Sequence, residues 1–261
     1  MGETGKISKG QISSPIDYKF LGIIFALTVG YQIALFQIDI TVFNFTDVLY
    51  LAGILGCAIS AFIVSNRYRD SEVFGRAYFF LGLGFISWFI GDSAYYYYDF
   101  VLQVDPWPSV FDVGFVGSYV FASIHLVMNT RYFKRKWSIP MKIVLVVLPI
   151  VVVTSYSLTA YEEWGDYEEL PFDLFYGDIF AAGISITLAF AILGASVFRQ
   201  SALKEVWLLL VIGIFLWTIA DVWYVYIEIF GTFDQTHPLN SVWMASFMII
   251  IYSLYKHRRV I

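Results

Sequence analysis

The chain has 261 residues, of which 59% are hydrophobic and 14% are charged, and its formal net charge is −5. Soluble domains are close to half apolar and a quarter charged, so this composition argues against an ordinary soluble fold. The single cysteine, Cys57, excludes intrachain disulfides, CxxC redox chemistry and cysteine-rich metal sites.

Apolar, largely uncharged segments follow one another along the whole chain. Each is about twenty residues long, which is enough for a helix to cross the ~30 Å hydrocarbon core of a bilayer. We predict eight transmembrane helices at 19–38, 47–66, 77–99, 110–130, 141–160, 174–198, 205–229 and 239–256. The first is too long for a signal-peptide core and lacks a small-x-small cleavage site, so we interpret it as an anchor. The predicted fold class is an all-α, polytopic membrane protein.

The basic residues predict the orientation in the membrane. When the connections between the predicted helices are assigned alternately to two sides, all 16 basic residues fall on one side, and the other side carries Asp39, Asp105, the acidic run 162–169 and Asp234. The basic residues are Lys6, Lys9, Lys19, Arg67, Arg69, Arg76, Arg131, Lys134, Arg135, Lys136, Lys142, Arg199, Lys204, Lys256, Arg258 and Arg259. The positive-inside rule makes their side cytoplasmic. We therefore expect a cell-membrane protein with both termini in the cytoplasm and residues 1–17 as a cytoplasmic tail. Because membrane topology explains the basic connections, we expect no nucleic-acid partner.

The two halves of the chain are similar when the sequence is offset by 129 residues. The shared pattern is G-x3-W-x3-D-x2-Y-x-Y-x-[DE], formed by Gly84, Trp88, Asp92, Tyr95, Tyr97 and Asp99 and by Gly213, Trp217, Asp221, Tyr224, Tyr226 and Glu228. In the fourth and eighth predicted helices the offset becomes 128, which places Asp112 on Asn240 and Ser118 on Ser246. The first and fifth helices show no convincing match. We predict two four-helix repeats, 18–133 and 134–261, that enter the membrane in the same direction and are related by a pseudo-twofold axis.

The repeated pattern also supplies the candidate site. Residues spaced by three or four positions share one face of a helix, so a tryptophan, an aspartate and a tyrosine line up in each half. The candidate ligand-binding residues are Trp88, Asp92, Tyr95, Trp217, Asp221 and Tyr224. Intramembrane carboxylates usually face a bundle interior or a cavity, and aromatic faces bind cations, so we expect an outward-facing acidic, aromatic cavity for a small cationic or amphipathic ligand. The alternative is that both aspartates accept hydrogen bonds from tyrosine hydroxyls and only join the repeats.

The remaining polar residues are more consistent with structural roles. Ser109 and Asp112 form an S-x-x-D capping box, and Asn240 is predicted to cap the eighth helix. Asp47 lies where a carboxylate stabilises a helix N-terminus. His125 is predicted to be a buried packing residue. We expect no metal site and no cofactor.

The motifs of the first half resemble a multi-helix membrane module found in bacterial GGDEF/EAL and histidine-kinase signalling proteins. In that module a "GD" helix, here Gly91-Asp92, precedes PxPSxAD and an aromatic residue, here Pro106-x-Pro108-Ser109-x-x-Asp112 and Tyr119. The second half of the module carries xADxxY, which Ala220-Asp221-Val-Trp-Tyr224 fits. The resemblance covers helices two to four and six to eight and implies a sensory domain. Since the sequence ends at Ile261 without an output domain, we expect a stand-alone module that signals through a cytoplasmic or membrane partner.

A second resemblance implies an enzyme. Eight-helix lysoplasmalogenase-like proteins carry similar Gly-to-Asp helices in both halves, although Ala220 stands where their pattern has a serine. That resemblance implies that Asp92 and Asp221 hydrolyse a membrane lipid by acid–base catalysis. A third alternative, a small-molecule transporter, is suggested by the parallel repeats alone.

Overall fold

A computed structural model of the chain describes residues 16–38, 42–71, 73–104, 109–134, 136–165, 170–198 and 204–260. All regular elements in these ranges are helical. They are α1 (Tyr18–Leu35), α2 (Phe45–Arg67), α3 (Phe74–Tyr96), α4 (Asp112–Phe133), α5 (Ile139–Trp164), α6 (Leu170–Phe198), α7 (Lys204–Ile229) and α8 (Leu239–Val260), with a π-helical extension of α3 over Tyr97–Leu102. The all-α prediction is confirmed. Several positions used in the predictions lie outside the described residues: Lys6, Lys9, Asp39, Asp105, Pro106, Pro108, Arg135, Arg199 and 166–169.

Seven of these helices are long and apolar enough to cross a membrane within the described ranges, namely α1 to α7. The architecture is therefore that of a multi-pass helical membrane protein. Helix α8 is as long as α4 but less apolar, since it carries buried polar residues such as Ser246 and Ser253 and a basic last turn. These polar side chains are tolerated because α1, α2 and α7 enclose α8.

Polar side chains at the helix starts explain where several helices begin. Asn44 and Asp47 form a reciprocal capping box at α2, in which the backbone nitrogen of Asn44 donates to Asp47 Oδ2 over 2.8 Å. The backbone nitrogen of Ser109 donates to Asp112 Oδ2 at 2.6 Å, which is one half of the predicted capping box. The other half does not form, because α4 begins at Asp112 and its N-cap residue, Phe111, makes no side-chain capping hydrogen bond. Asn240 differs from its predicted role as a cap, because α8 already begins at Leu239 and the Asn240 side chain instead donates to a carbonyl in the preceding turn.

Six helices form a closed ring in the order α2, α3, α4, α6, α7, α8, and α8 returns to α2. Within the described residues, α1 lies outside this ring against α8 and α2, and α5 lies outside it against α6 and α7. Helices α3 and α7 therefore stand opposite each other, and large aromatic side chains fill the space between them. The core of the molecule is this aromatic centre.

Ring contacts identify one end of the bundle. Aromatic side chains from the last turns of α2, α4 and α8 and the first turns of α3 and α7 meet there, with centroids 5.3 to 6.4 Å apart. They are Tyr68, Phe74, Phe133, Trp207 and His257. The backbone nitrogen of Asp17 donates to the Tyr252 hydroxyl at 3.0 Å, so α1 begins at the same end. The basic residues of the described ranges lie in the terminal turns and connections at this end.

Hydrogen bonds identify the opposite end. The Trp164 indole N–H, at the end of α5, donates to the carbonyl of Ile229 at the end of α7 over 3.0 Å. The Ser241 hydroxyl, in the first turn of α8, donates to the side chain of Gln32 near the end of α1 over 2.6 Å. Consecutive helices consequently run in opposite directions.

Contacts in the two halves recur at the offsets found in the sequence. His125 Nδ1 on α4 lies 2.8 Å from the carbonyl oxygen of Ala77 on α3. Ser253, 128 positions after His125, donates from α8 to the carbonyl oxygen of Val206, 129 positions after Ala77, over 2.8 Å. By contrast, α1 contacts α8 whereas α5 contacts α6 and α7, so the similarity is limited to three helices in each half.

Candidate ligand site between helices α3 and α7

Two stacked tryptophans join α3 to α7 at the centre of the bundle. The rings of Trp88 and Trp217 have centroids 4.7 Å apart and an interplanar angle of 23°. Both side chains are buried, at 4% and 1% exposure. Because Asp92 and Asp221 follow these tryptophans by one helical turn, the stacking places both aspartates on facing sides of α3 and α7. The two carboxyl groups are close enough to interact electrostatically.

Asp221 is a fully hydrogen-bonded, buried carboxylate. Its Oδ1 atom accepts a hydrogen bond from the Trp243 indole N–H of α8 at 2.7 Å, and its Oδ2 atom accepts one from the Tyr119 hydroxyl of α4 at 3.1 Å. The side chain is 5% exposed. A carboxylate buried this deeply needs such donors, because a buried charge without partners is strongly destabilising. Tyr119 belongs to the first half of the chain, so for Asp221 the geometry matches the alternative in which the aspartates join the two halves.

Asp92 has a different environment. Its side chain interacts with Trp88, one turn earlier on the same helix. Its Oδ2 atom is buried and has no hydrogen-bond partner among the described residues, although the residue as a whole is partly exposed. A buried acceptor without a donor costs about 1–3 kcal/mol, and more when it is charged. Native structures keep such groups rarely, and each one requires an explanation.

The sequence explains why the two aspartates differ. At the offset of 128, the position equivalent to Tyr119 is Phe247, and Trp243 is equivalent to Phe115. Phe247 packs edge-on against Trp88 with centroids 5.0 Å apart, whereas Tyr119 stacks on Trp217 with centroids 5.7 Å apart. Neither phenylalanine has an N–H or O–H group. The two donors that satisfy Asp221 are therefore replaced around Asp92 by side chains that cannot donate.

The two predicted tyrosines are placed differently. Tyr224 is half-buried and packs against Trp243 at 5.6 Å and against Phe233 at 4.9 Å. Tyr95 is 40% exposed and lies within electrostatic range of Tyr224. The site is consequently covered on the α7 side and more open beside Tyr95 on the α3 side.

The connection between α7 and α8 forms this cover. Phe233 belongs to it, and the following residue, Asp234, shapes its turn by accepting hydrogen bonds from the Thr236 backbone nitrogen at 2.7 Å and the Thr236 hydroxyl at 2.6 Å. These hydrogen bonds, the Thr236 hydroxyl first, lower the pKa of the Asp234 carboxyl group.

Three residues of the site were not among the predicted ligand-binding residues. Tyr119 and Trp243 donate to Asp221, and the buried Tyr50 packs edge-on against Trp243 at 6.4 Å. The repeat alignment contained the signal for the first two, because each pairs a polar aromatic residue in one half with a phenylalanine in the other. Among the predicted residues, Trp217 has a buried indole N–H that lies near Asp221 but has no hydrogen-bond partner among the described residues.

A second polar cluster lies towards the basic end of the same aromatic core. His125 is fully buried, as predicted, and its ring lies 5.0 Å from that of Tyr78. His257 lies at the same distance from Tyr78 on another side. The Nε2 atoms of both histidines and the Tyr78 hydroxyl have no hydrogen-bond partner among the described residues. In the described part of the chain, no group of three or more His, Cys, Asp or Glu side chains is arranged to hold a metal ion.

The arrangement offers two carboxyl groups beside stacked indoles. One has a hydrogen-bond donor on each oxygen, and the other has an oxygen with no donor among the described residues. The arrangement is suited to binding a group that donates a hydrogen bond next to an aromatic surface. Comparison with protein-family models, curated proteins and solved structures gives no match to this chain.

Proposed function

We propose that this chain is an integral membrane ligand-binding module of the sensor type, in which Asp92 binds the ligand. One observation carries this proposal: the buried Oδ2 atom of Asp92 has no donor among the described residues. Its counterpart Asp221 has two. A ligand that donates a hydrogen bond or carries a positive charge would satisfy Asp92. Phe115 and Phe247 stand at the positions equivalent to the two donors of Asp221, and their side chains cannot donate. The Asp92 Oδ2 atom therefore stays available for a ligand.

The surrounding groups restrict the ligand's chemistry. An ammonium or hydroxyl group can donate to Asp92, and a hydroxyl can in addition accept from the Trp217 indole N–H, which lacks an acceptor among the described residues. Trp88 and the exposed Tyr95 supply aromatic surface for an apolar or cationic part. We therefore expect a small amphipathic molecule with an amine or hydroxyl head group, or a membrane lipid that has one.

The proposed membrane arrangement has eight spans, with both termini in the cytoplasm and Asp92 in the outer half. The two halves are proposed to be parallel repeats. The recurring pair of contacts from α4 to α3 and from α8 to α7 supports this, as does the placement of every basic residue of the sequence in alternate connections. The lower apolarity of α8 is compatible with an eighth span because α1, α2 and α7 enclose it.

The same two helices connect the site to the basic end. Trp88 and Trp217 join α3 and α7 near the aspartates, and Tyr78 and Trp207 join them about three helical turns away, with ring centroids 5.8 Å apart. A ligand that changes the distance between α3 and α7 at Asp92 would therefore shift their contact at the other end. We propose that a signalling partner binds at that end of the bundle and responds to this shift.

A membrane lipid hydrolase of the lysoplasmalogenase-like type is the second candidate. The observation that favours it is the unequal hydrogen bonding of Asp92 and Asp221, since an acid and a base need different surroundings. The two candidates share the site and differ in whether the bound molecule is converted.

The test is to identify molecules that copurify with the protein and to measure binding to Asp92 variants. Dodecylamine and dodecanol serve as amphipathic amine and alcohol probes, and tryptophan fluorescence reports on Trp88 and Trp217. A hydrogen bond to a charged group contributes about 1.5–3 kcal/mol, so Asp92→Asn should weaken binding roughly 10- to 100-fold. Asp99→Asn, on the π-helical extension of the same helix, is the matched control and should leave binding unchanged.

Equal probe binding by wild type, Asp92→Asn and Asp99→Asn would refute the proposed role of Asp92. Mass spectrometry of the same samples over time separates the two candidates. A bound lipid that stays intact supports the sensor, whereas cleavage that is lost in Asp92→Asn supports the hydrolase.

A further inference from the structure

An open, basic cleft lies at the junction between α4 and α5, far from the aspartates. It has a volume of about 550 Å³ and is lined by Arg131, Lys136, Trp137 and Lys142. Arg131 belongs to the last turn of α4 and Lys142 to the first turns of α5, with Lys136 and Trp137 in the connection between them. The cleft is therefore built by the segment that links the two halves of the chain.

Trp137 gives the cleft a defined shape. Its ring packs edge-on against Phe190 of α6, with centroids 6.1 Å apart. The Arg131 guanidinium lies over the same ring, with Cζ 5.5 Å from the centroid. This cation–π contact orients the exposed Arg131 side chain towards the cleft.

The cations of the cleft have no counter-ion within the described ranges. No carboxylate lies within ion-pair distance of Arg131, Lys136 or Lys142 there. The indole N–H of Trp137 is buried and also has no acceptor among the described residues. Three positive groups and one N–H donor therefore line the cleft without an acceptor among the described residues, which is an arrangement suited to a phosphate.

Apolar side chains beside the cleft indicate where that phosphate comes from. Tyr132, Ile139 and Ile143 flank the lining residues and are 55%, 74% and 53% exposed. Such side chains fit acyl chains, and basic pockets between transmembrane helices on the cytoplasmic side bind anionic head groups. We propose that this cleft binds the phosphate of an anionic membrane lipid, with Arg131, Lys136 and Lys142 on the phosphate and Trp137 as the platform. This proposal does not depend on the ligand proposed for Asp92.

The test measures how much phosphatidylglycerol the full-length protein retains, by native mass spectrometry after purification from nanodiscs that contain phosphatidylglycerol and phosphatidylcholine. The variant with Arg131→Gln, Lys136→Gln and Lys142→Gln should retain at least tenfold less phosphatidylglycerol than wild type. The matched control replaces Arg67, Arg69 and Arg76 by Gln, which removes the same charge from exposed residues at the same end of the bundle. It should lose less than twofold.

Equal losses in the two triple variants would overturn the proposal, because general positive charge would then explain lipid retention. Displacement of the lipid by millimolar inorganic phosphate would overturn the lipid assignment in favour of free phosphate. If the variant with all three cleft substitutions does not fold, the single variants Arg131→Gln and Trp137→Phe are tested in its place. Each should lower retention at least threefold, and an unchanged value in both would also refute the proposal.

Discussion

A carboxylate inside a helix bundle is stabilised by the donors that neighbouring helices bring to it. Asp221 receives two, and Asp92 occupies the equivalent position with phenylalanines in place of both donors. Aspartate is thus held by two hydrogen bonds in one half, whereas in the other half one of its oxygens has no donor among the described residues. The difference arises from the side chains of α4 and α8 and not from the aspartates themselves.

We expect Tyr119→Phe to lower the free energy of unfolding by about 1–3 kcal/mol, because it removes a donor from the buried Asp221 carboxylate. In a double-mutant cycle with Asp221→Asn, the two changes should be non-additive by about 0.5–3 kcal/mol. The measurement is reversible unfolding in detergent. Tyr161→Phe, at a 61% exposed position, is the control and should have little effect. Additive effects would show that the hydrogen bond does not contribute to stability.

At the scale of helices, glycines set how closely neighbours approach. A Cβ atom at Gly114 of α4 would lie 2.6 Å from the carbonyl oxygen of Ser87 and 3.0 Å from the backbone nitrogen of Gly91, both on α3. Backbone atoms cannot move aside as the end of a side chain can. The contact that positions the Asp92 helix therefore depends on glycine at this point.

Gly114→Ala should destabilise the protein by about 1–3 kcal/mol, since the added methyl group forces α3 and α4 apart. It should also weaken binding of the dodecylamine probe, because α3 carries Asp92. Gly30→Ala on α1 is the comparison: no atom lies within 4 Å of its Cβ position, so stability should be unchanged or slightly higher. Thermal unfolding of both variants in detergent provides the measurement. Equal stability of Gly114→Ala and Gly30→Ala would show that the close packing of α3 and α4 at Gly114 does not contribute to stability.

At the scale of the whole molecule, consecutive helices alternate in direction and the basic residues of the described ranges lie at one end. Charge at the helix ends is what orients such a bundle during insertion, since basic connections remain in the cytoplasm. The ends that carry Arg67, Arg131 and Lys256 would then be cytoplasmic, and the end that carries Trp164 would be external. The Asp92 site and the basic cleft would face opposite sides of the membrane.

Cysteine labelling in intact cells tests this orientation. Cys57 is the only cysteine of the sequence and is fully buried, so it provides a silent background for new cysteines. A membrane-impermeant maleimide should label Gly165→Cys, and it should label Asp70→Cys and Lys134→Cys only after the membrane is permeabilised. Labelling of Lys134→Cys in intact cells would refute the eight-span arrangement.

Much of the fold could be predicted from the sequence because each feature has a local physical cause. Apolar segments long enough for a bilayer predicted all eight helices to within a few residues of their ends. The capping box of Ser109 and Asp112 predicted the start of α4 only approximately, because one of its two hydrogen bonds forms and the helix begins at Asp112. The prediction that Asn240 caps α8 was wrong, because α8 begins one residue earlier. The residue at which the first turn of a helix begins depends on the whole connection before it. The offset between Trp88 and Trp217 predicted two related positions, and the structure stacks those two rings.

The packing of the helices decided what the local sequence could not. Asp92 and Asp221 share the pattern W-x3-D-x2-Y along their own helices, so this repeated pattern does not separate them. Their difference comes from residues on other helices, Tyr119 and Trp243 on one side and Phe115 and Phe247 on the other. The sequence by itself determined which segments are helical and which residues repeat, because hydrophobicity and spacing act locally. Only the tertiary structure decided which aspartate has its donors, because hydrogen bonds between helices depend on which faces meet.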